Sequence, residues 1–214
     1  YGTKKNIWIG TDEGIYIYAY ATETFTYFDL TTPNNVRITS IVNHILQDKD
    51  GNLWFSTNGQ GLFRYNLSKN YLEQYEFTSA FGIVASTMAD SDNQIWALTN
   101  QGESGVYKLN KAENKFEPFG LLYNAGNHHS QALAMLEDSE QTLWLGTWEC
   151  GLQKIDKYTR QTTTYLHPTD GKGVTHIHSL MEYAPHQLLI GSDDGLLLFN
   201  TLTEDSYTHL TLPT

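Results

Sequence analysis

Asp48, Asp50 and Asn52 alternate around Gly51 in the stretch DKDGNLWFSTNGQGLFRYN, residues 48–66. Oxygen-bearing side chains at positions 1, 3 and 5 of a tightly bent segment are how a calcium loop begins, because hard cations take oxygen ligands. Two other places carry imidazoles: the pair His128-His129, and the HIH run of residues 176–178. Imidazoles are metal ligands or hydrogen-bonding groups, and a zinc site needs further ligands at fixed spacing, which accompany neither. A fourth concentration is Trp148-Glu149-Cys150: an aromatic face, a carboxylate and a thiol in consecutive positions. What these groups can do depends on the elements that position them.

Those elements repeat. NLWFST at 52–57 has relatives in NIWIGT, QIWALT, TLWLGT and QLLIGS, aligning Trp8, Trp54, Trp96, Trp144 and Leu189 at intervals of 46, 42, 48 and 45 residues. After each comes GIYIYA, GLFRYN, GVYKLN, GLQKID or GLLLFN, and then a further strand-like piece: FTYF, LEQY, FEPF, TTTY or SYTH. An apolar segment such as ITSIVNHIL or THIHSLME precedes four of the five. Four short strands in about 45 residues leave no room for a helix and predict the blade of a β-propeller. The expected class is all-β, with repeats at approximately 1–37, 38–80, 81–127, 128–173 and 174–214. The second strand is apolar at nearly every position, as a strand buried on both faces must be. The tryptophan column predicts a wedge between blades. The hydroxyl column, Thr11, Thr57, Thr99, Thr147 and Ser192, predicts a bond to local backbone at the strand end.

The alignment also decides the calcium question. Asp48, Asp50 and Gly51 share columns with Asp90, Asp92 and Asn93, with Asp138, Glu140 and Gln141, and with Tyr183, Pro185 and His186. The carboxylates drift while the spacing to the tryptophan column is kept. A turn tolerates that drift and an ion site does not. The segment predicts a hairpin, and neither metal nor cofactor is expected.

Composition bounds the rest. Of 214 residues, 40% are hydrophobic and 17% charged, which is a globular balance. The net charge of −11, with 24 acidic against 13 basic residues, argues against binding a phosphate backbone. No apolar run approaches the roughly 18 residues of a membrane span. The single Cys150 excludes an internal disulfide and reads as a small buried filler. Because the sequence opens inside a repeat, an incomplete propeller is expected: nineteen strands where seven blades need roughly 28. An open arc follows, or an assembly, a homodimer included, that pairs its bare strand edges. A targeting segment upstream is compatible with this.

With the repeat in hand, DKDGNLWFSTNGQGLFRYN closely resembles the two-component regulator propeller repeat, D-G-N-L-W-(I/F)-G-T-x-x-G-G-L-x-R-Y. NGQGL stands where that pattern has two adjacent glycines, GTWECGLQKID and GSDDGLLLFN match more loosely, and TNQGESGVYKLN carries an insertion. The resemblance covers essentially the whole chain. It implies a seven-bladed propeller in the periplasmic sensor of a hybrid histidine kinase of Bacteroides-like bacteria. It also implies an oligosaccharide or other small ligand, no catalysis in the propeller, and membrane-spanning and kinase parts downstream. Streptogramin-lyase-like propellers share D-G-N-L-W-F-T-E repeats and are metal-dependent enzymes, but no repeat here ends in WFTE. A polysaccharide-degrading hydrolase needs two facing carboxylates, and nothing marks such a pair.

Departures from the repeat mark candidate ligand positions, since residues that keep it are explained by packing. In the turn between second and third strands one column reads Asp12, Asn58, Asn100, Trp148 and Asp193. Four are ordinary turn residues. The indole of Trp148, beside Glu149, must find apolar surface in a neighbouring loop or on a bound ring. The preceding segment 120–131 offers Tyr123, Asn124, Asn127, His128 and His129; the following one, 167–178, offers His167, Asp170, Lys172 and His176. These three segments are expected to converge on one sector of the rim and supply a stacking face with planar hydrogen-bonding groups. Arg37 and Asn58 complete the candidate ligand-binding set, although Arg37 reads equally as a surface ion pair. Ligand binding and plain blade packing both account for the cluster.

Overall fold

The computed structural model describes residues 6–77, 82–99, 105–120, 131–167 and 173–207. Turn residues recur too often in these segments for any long element, and the described residues form nineteen strands and no helix. The chain divides into two compact units, residues 1–89 and 90–214, and the division falls inside the third repeat.

In the first unit β1 (Ile7–Thr11), β2 (Gly14–Ala19) and β3 (Thr24–Tyr27) form an antiparallel sheet in chain order. A second sheet holds β4 (Val42–Gln47), β5 (Leu53–Thr57), β6 (Leu62–Asn66) and β7 (Tyr71–Tyr75), and β8 (Val84–Ala89) follows. Every residue of β5 is buried, as its unbroken apolar run requires. Between the sheets lies a core of Ile15, Phe28, Ile38, Phe55, Phe63 and Leu72. Trp8 is wedged there, its ring 5.3 Å from Phe28, 5.7 Å from Phe55 and 5.7 Å from Tyr65.

The second unit contains β9 (Ile95–Thr99), β10 (Val106–Asn110) and β11 (Lys115–Pro118). The four strands β12 (Ala132–Glu137), β13 (Leu143–Thr147), β14 (Leu152–Ile155) and β15 (Thr162–Tyr165) form the next sheet. The last holds β16 (Ile177–Ala184), β17 (Gln187–Ser192), β18 (Gly195–Asn200) and β19 (Ser206–Tyr207). Trp144 meets Phe199 of that last sheet edge-on at 5.7 Å, so here too the tryptophan acts as the expected wedge. Carboxylates at the ends of first strands tie neighbouring sheets: Glu182 accepts from Ser139 N–H at 2.8 Å and from its hydroxyl at 2.7 Å. Glu137 does the same for Ser91 and also takes Lys157 Nζ. Burial alone would lower the Lys157 pKa, but the hydrogen bond and charge of Glu137, with Asp90 and Asp92 nearby, raise it.

The aspartate of the calcium-like spacing turns inward. In three repeats its Oδ1 accepts the backbone N–H four residues on, from Asn52, Gln94 and Thr142, each at 2.8 Å. Its Oδ2 accepts the indole N–H six residues on: Trp54 to Asp48 at 2.8 Å, Trp96 to Asp90 at 2.9 Å and Trp144 to Asp138 at 2.7 Å. The turn closes with Gly51, Asn93 and Gln141 at φ of 81, 56 and 62°, a region glycine and asparagine enter readily. The segment is a hairpin, as the alignment indicates, and its first carboxylate is consumed by internal donors. In the fifth repeat Tyr183 and Leu189 replace both partners together. Either partner alone would leave a buried polar group unpaired.

At the other end of these strands the hydroxyl column behaves as expected. Thr11, Thr57, Thr147 and Ser192 donate to the carbonyls of Gly14, Gly61, Gly151 and Gly195 at 3.0, 2.7, 2.8 and 3.1 Å. Asp138→Ala removes the acceptor of a Trp144 ring that is 1% exposed. The unfolding free energy in urea is expected to fall by about 1–3 kcal/mol for the orphaned indole alone. An unchanged denaturation midpoint would show that the carboxylate serves only the turn.

Candidate ligand-binding site

The β13–β14 turn, Trp148 to Cys150, is closed by Thr147 and the backbone. Thr147 N–H reaches the Gly151 carbonyl at 3.2 Å, Thr147 Oγ1 bonds the same carbonyl, and Cys150 N–H returns to Thr147 Oγ1 at 3.0 Å. Cys150 is buried, the small filler expected. The Trp148 backbone is clamped on both sides: its N–H donates to the Gln131 carbonyl at 2.9 Å and its carbonyl accepts His176 N–H at 3.0 Å. The indole is thereby turned out to the rim, with 39% of the residue exposed.

Its partner comes from the next repeat. The His176 ring stacks on the indole with centroids 3.7 Å apart and 28° between planes. His176 holds φ of 45°, a left-handed conformation costing a non-glycine residue about 1 kcal/mol, which the surrounding bonds must sustain. Gly146 makes the approach possible, since a Cβ there would lie 2.5 Å from Ile177 Cγ2 and 3.0 Å from the Ile177 carbonyl. His176, just before β16, and His178, within it, both reach the β17–β18 turn. There they share Asp193 of the β17–β18 turn, His176 Nδ1 at 2.5 Å from one oxygen and His178 Nε2 at 2.7 Å from the other. The His176 hydrogen bond first, and the His178 bond second, hold the Asp193 carboxyl below the usual carboxylate range. Asp194 beside it accepts from the backbone and hydroxyl of Thr175 at 3.2 and 3.4 Å.

The result is an open platform of two stacked rings, its imidazoles oriented by one carboxylate. Such rings offer a face to an apolar sugar surface, and the imidazole nitrogens turned away from Asp193 can exchange hydrogen bonds with hydroxyls. The carboxylate lies between the imidazoles as their acceptor. Among the described residues no group of three His, Cys, Asp or Glu is arranged around a metal position.

Of the sequence-derived candidates, Trp148 and His176 come together and Glu149 sits exposed in the same turn. Tyr123, Asn127, His128 and His129 lie outside the described residues, as do Asn124, Asp170 and Lys172. Arg37 and Asn58 belong to the first unit. There Arg37 Nε pairs with Asp29 at 2.7 Å, both half-exposed, the surface ion pair of its alternative reading. Asn58 donates its N–H to the Ile41 carbonyl at 2.9 Å, an ordinary turn contact. His178 and Asp193 are members of the platform that the candidate set lacks. The spacing of two in HIH is the signal for the first; Asp193, in a column of turn residues, carries none of its own.

Residues 35–59 match the family model of the two-component regulator propeller. Over 211 residues the chain is 26% identical to histidine kinase P4 of Formosa agariphila, covering 93% of this chain and 15% of that protein. The extracellular domain of a protein described as a hybrid two-component system of B. thetaiotaomicron superposes with a TM-score of 0.75 at 20% identity. That match covers 94% of this chain and 28% of the other. Virginiamycin B lyase from Staphylococcus aureus superposes with a TM-score of 0.71 at 17% identity, over 100% of this chain and 68% of the lyase. At these identities the two structures establish the β-propeller fold alone.

The platform makes a prediction about folding. Trp148→Asn restores the turn residue of the other repeats and should lower the unfolding free energy by less than about 1 kcal/mol, as for a surface substitution. A melting temperature lower by several degrees would instead place Trp148 in the core.

Proposed function

Residues 35–59 carry the two-component regulator propeller repeat, and from that premise we propose that the chain is the extracytoplasmic ligand-sensing part of a two-component receptor. The ligand is an oligosaccharide taken at the Trp148 platform. The chain spans about 15% of its curated relative, so kinase output and membrane anchoring belong to other parts of such a receptor. One observation carries the reading. Trp148 stands where the other repeats place Asp or Asn, its turn needs no side chain from it, and its ring is stacked and exposed. A large aromatic held in this way gains nothing for the turn and is suited to a sugar ring.

The enzyme reading rests on the lyase likeness and on the His176–Asp193 pair, which has the form of an oriented general base. Against it, the described residues bring no second carboxylate or nucleophile against that imidazole within hydrogen-bonding reach. Calorimetry of the chain against neutral plant and host-glycan oligosaccharides, with product analysis of the same mixtures, separates the two. The sensor reading expects binding without turnover, and Trp148→Asn weakening it by about 1–3 kcal/mol, the scale of one large aromatic contact. New reducing ends or elimination products in the mixtures would make the propeller an enzyme.

A further inference from the structure

The chain carries a net charge of −11, yet four of its thirteen Lys and Arg residues line one groove of about 410 Å3 with a single carboxylate among the lining side chains. The groove lies within the second unit, toward the β10–β11 and β14–β15 turns and so at the end of the strands away from Trp148. Lys108, Lys111, Glu117, Phe119, Tyr158 and Arg160 define it. Lys157 is also there but is neutralised by Glu137.

Among the described residues the other three cations have no carboxylate partner. In the second repeat the corresponding Arg64 faces Glu73 across the strand pair and bonds it at 2.6 Å. Lys108 faces Glu117 in the same register, but Glu117 accepts from Asn110 Nδ2 at 3.1 Å instead. Among the described residues Lys108, Lys111 and Arg160 form no ion pair. Two of them are held in place by rings: Lys108 Nζ lies 5.2 Å from the Trp96 centroid, and the Arg160 guanidinium 5.3 Å from that of Phe119. Their orientation is set without their charge being cancelled.

Tyr158 completes the groove and is 94% exposed. Its turn is made by Asp156, whose Oδ1 accepts from the Tyr158 and Thr159 N–H groups at 2.7 and 2.9 Å. The equivalent turns hold Ala21, Ser68, Ala112 and Leu202 at the tyrosine position, and Asn or Glu where Arg160 stands. The turn therefore requires neither the ring nor the guanidinium. An exposed ring beside three uncompensated cations is what recognises a ring-shaped anion: stacking supplies the contact area, and a guanidinium matches a carboxylate in a planar pair.

We propose that this groove is a second ligand site, which takes a carboxylate-bearing sugar, with Tyr158 against the ring and Arg160, Lys111 and Lys108 around the acid. It is independent of the Trp148 platform. The test is calorimetry of the full chain with a glucuronic-acid-terminated disaccharide and with the methyl ester of the same compound. The acid is expected to bind, more weakly as salt is added, and the uncharged ester to bind about tenfold less tightly. Arg160→Gln, Lys111→Gln and Tyr158→Ala, all at exposed turn positions, should each weaken the acid by about tenfold, while Trp148→Asn leaves it unchanged. The proposal is overturned if acid and ester bind alike, if neither binds, or if Trp148→Asn removes the binding while Arg160→Gln does not.

Discussion

A carboxylate buried beneath an indole N–H fixes the geometry of three repeats, and most of what can vary in them varies because that bond does not. Asp48, Asp90 and Asp138 each immediately follow a first strand, and Trp54, Trp96 and Trp144 each stand at the second residue of the next. One side chain therefore closes the hairpin through a backbone N–H and sets the register through the indole. Hydrogen bonds to a charged group are worth about 1.5–3 kcal/mol, more than neutral ones, and burial makes the loss of either partner dearer than the bond itself. The indoles then form the floor on which third-strand cations rest, Arg64 5.6 Å from the Trp54 ring and Lys154 5.8 Å from that of Trp144.

With one end of these three sheets held so, the other end of a sheet needs only a threonine or serine hydroxyl to close its turn. That economy leaves the intervening side chains uncommitted. Asn58 uses its freedom for nothing beyond a turn, whereas Trp148 and Asp193 use theirs to meet His176 and His178 from the intervening segment. The strained backbone of His176 is sustained at once by a backbone hydrogen bond, a stacked ring and a side-chain hydrogen bond to Asp193. Geometry fixed to that degree is what a binding surface requires and a surface loop otherwise lacks.

The repeat is legible in the sequence because it is periodic and because strands and turns draw on different residues. The five-fold alignment yields the strand count, the buried second strand, the hydroxyl bond and the hairpin in place of an ion site. It does not yield the bond between aspartate and tryptophan: read down columns, one is a turn residue and the other a wedge, and only three dimensions join them. The platform is half legible for the same reason. Comparing columns isolates Trp148 as a departure, and the search for its partner points to a neighbouring loop or a ligand. Its partner is a histidine two positions from another, both oriented by an aspartate that looks ordinary in its own column. Gln153 is a further case. It stands where Tyr16, Phe63, Tyr107 and Leu197 stand in the other repeats, is fully buried, and has no hydrogen-bond partner among the described residues. No physical reason for an amide there is evident.

The central claim is a division of labour among tryptophans: Trp54, Trp96 and Trp144 are locked by aspartates, and Trp148 is offered to solvent. Hydrogen exchange of the indole N–H groups, followed by nuclear magnetic resonance, reads that division directly. The account predicts that the indoles of Trp54, Trp96 and Trp144 exchange only through global unfolding, while that of Trp148 exchanges at a rate close to that of an open indole. Comparable protection at Trp148, or rapid exchange at any of the other three, would contradict it.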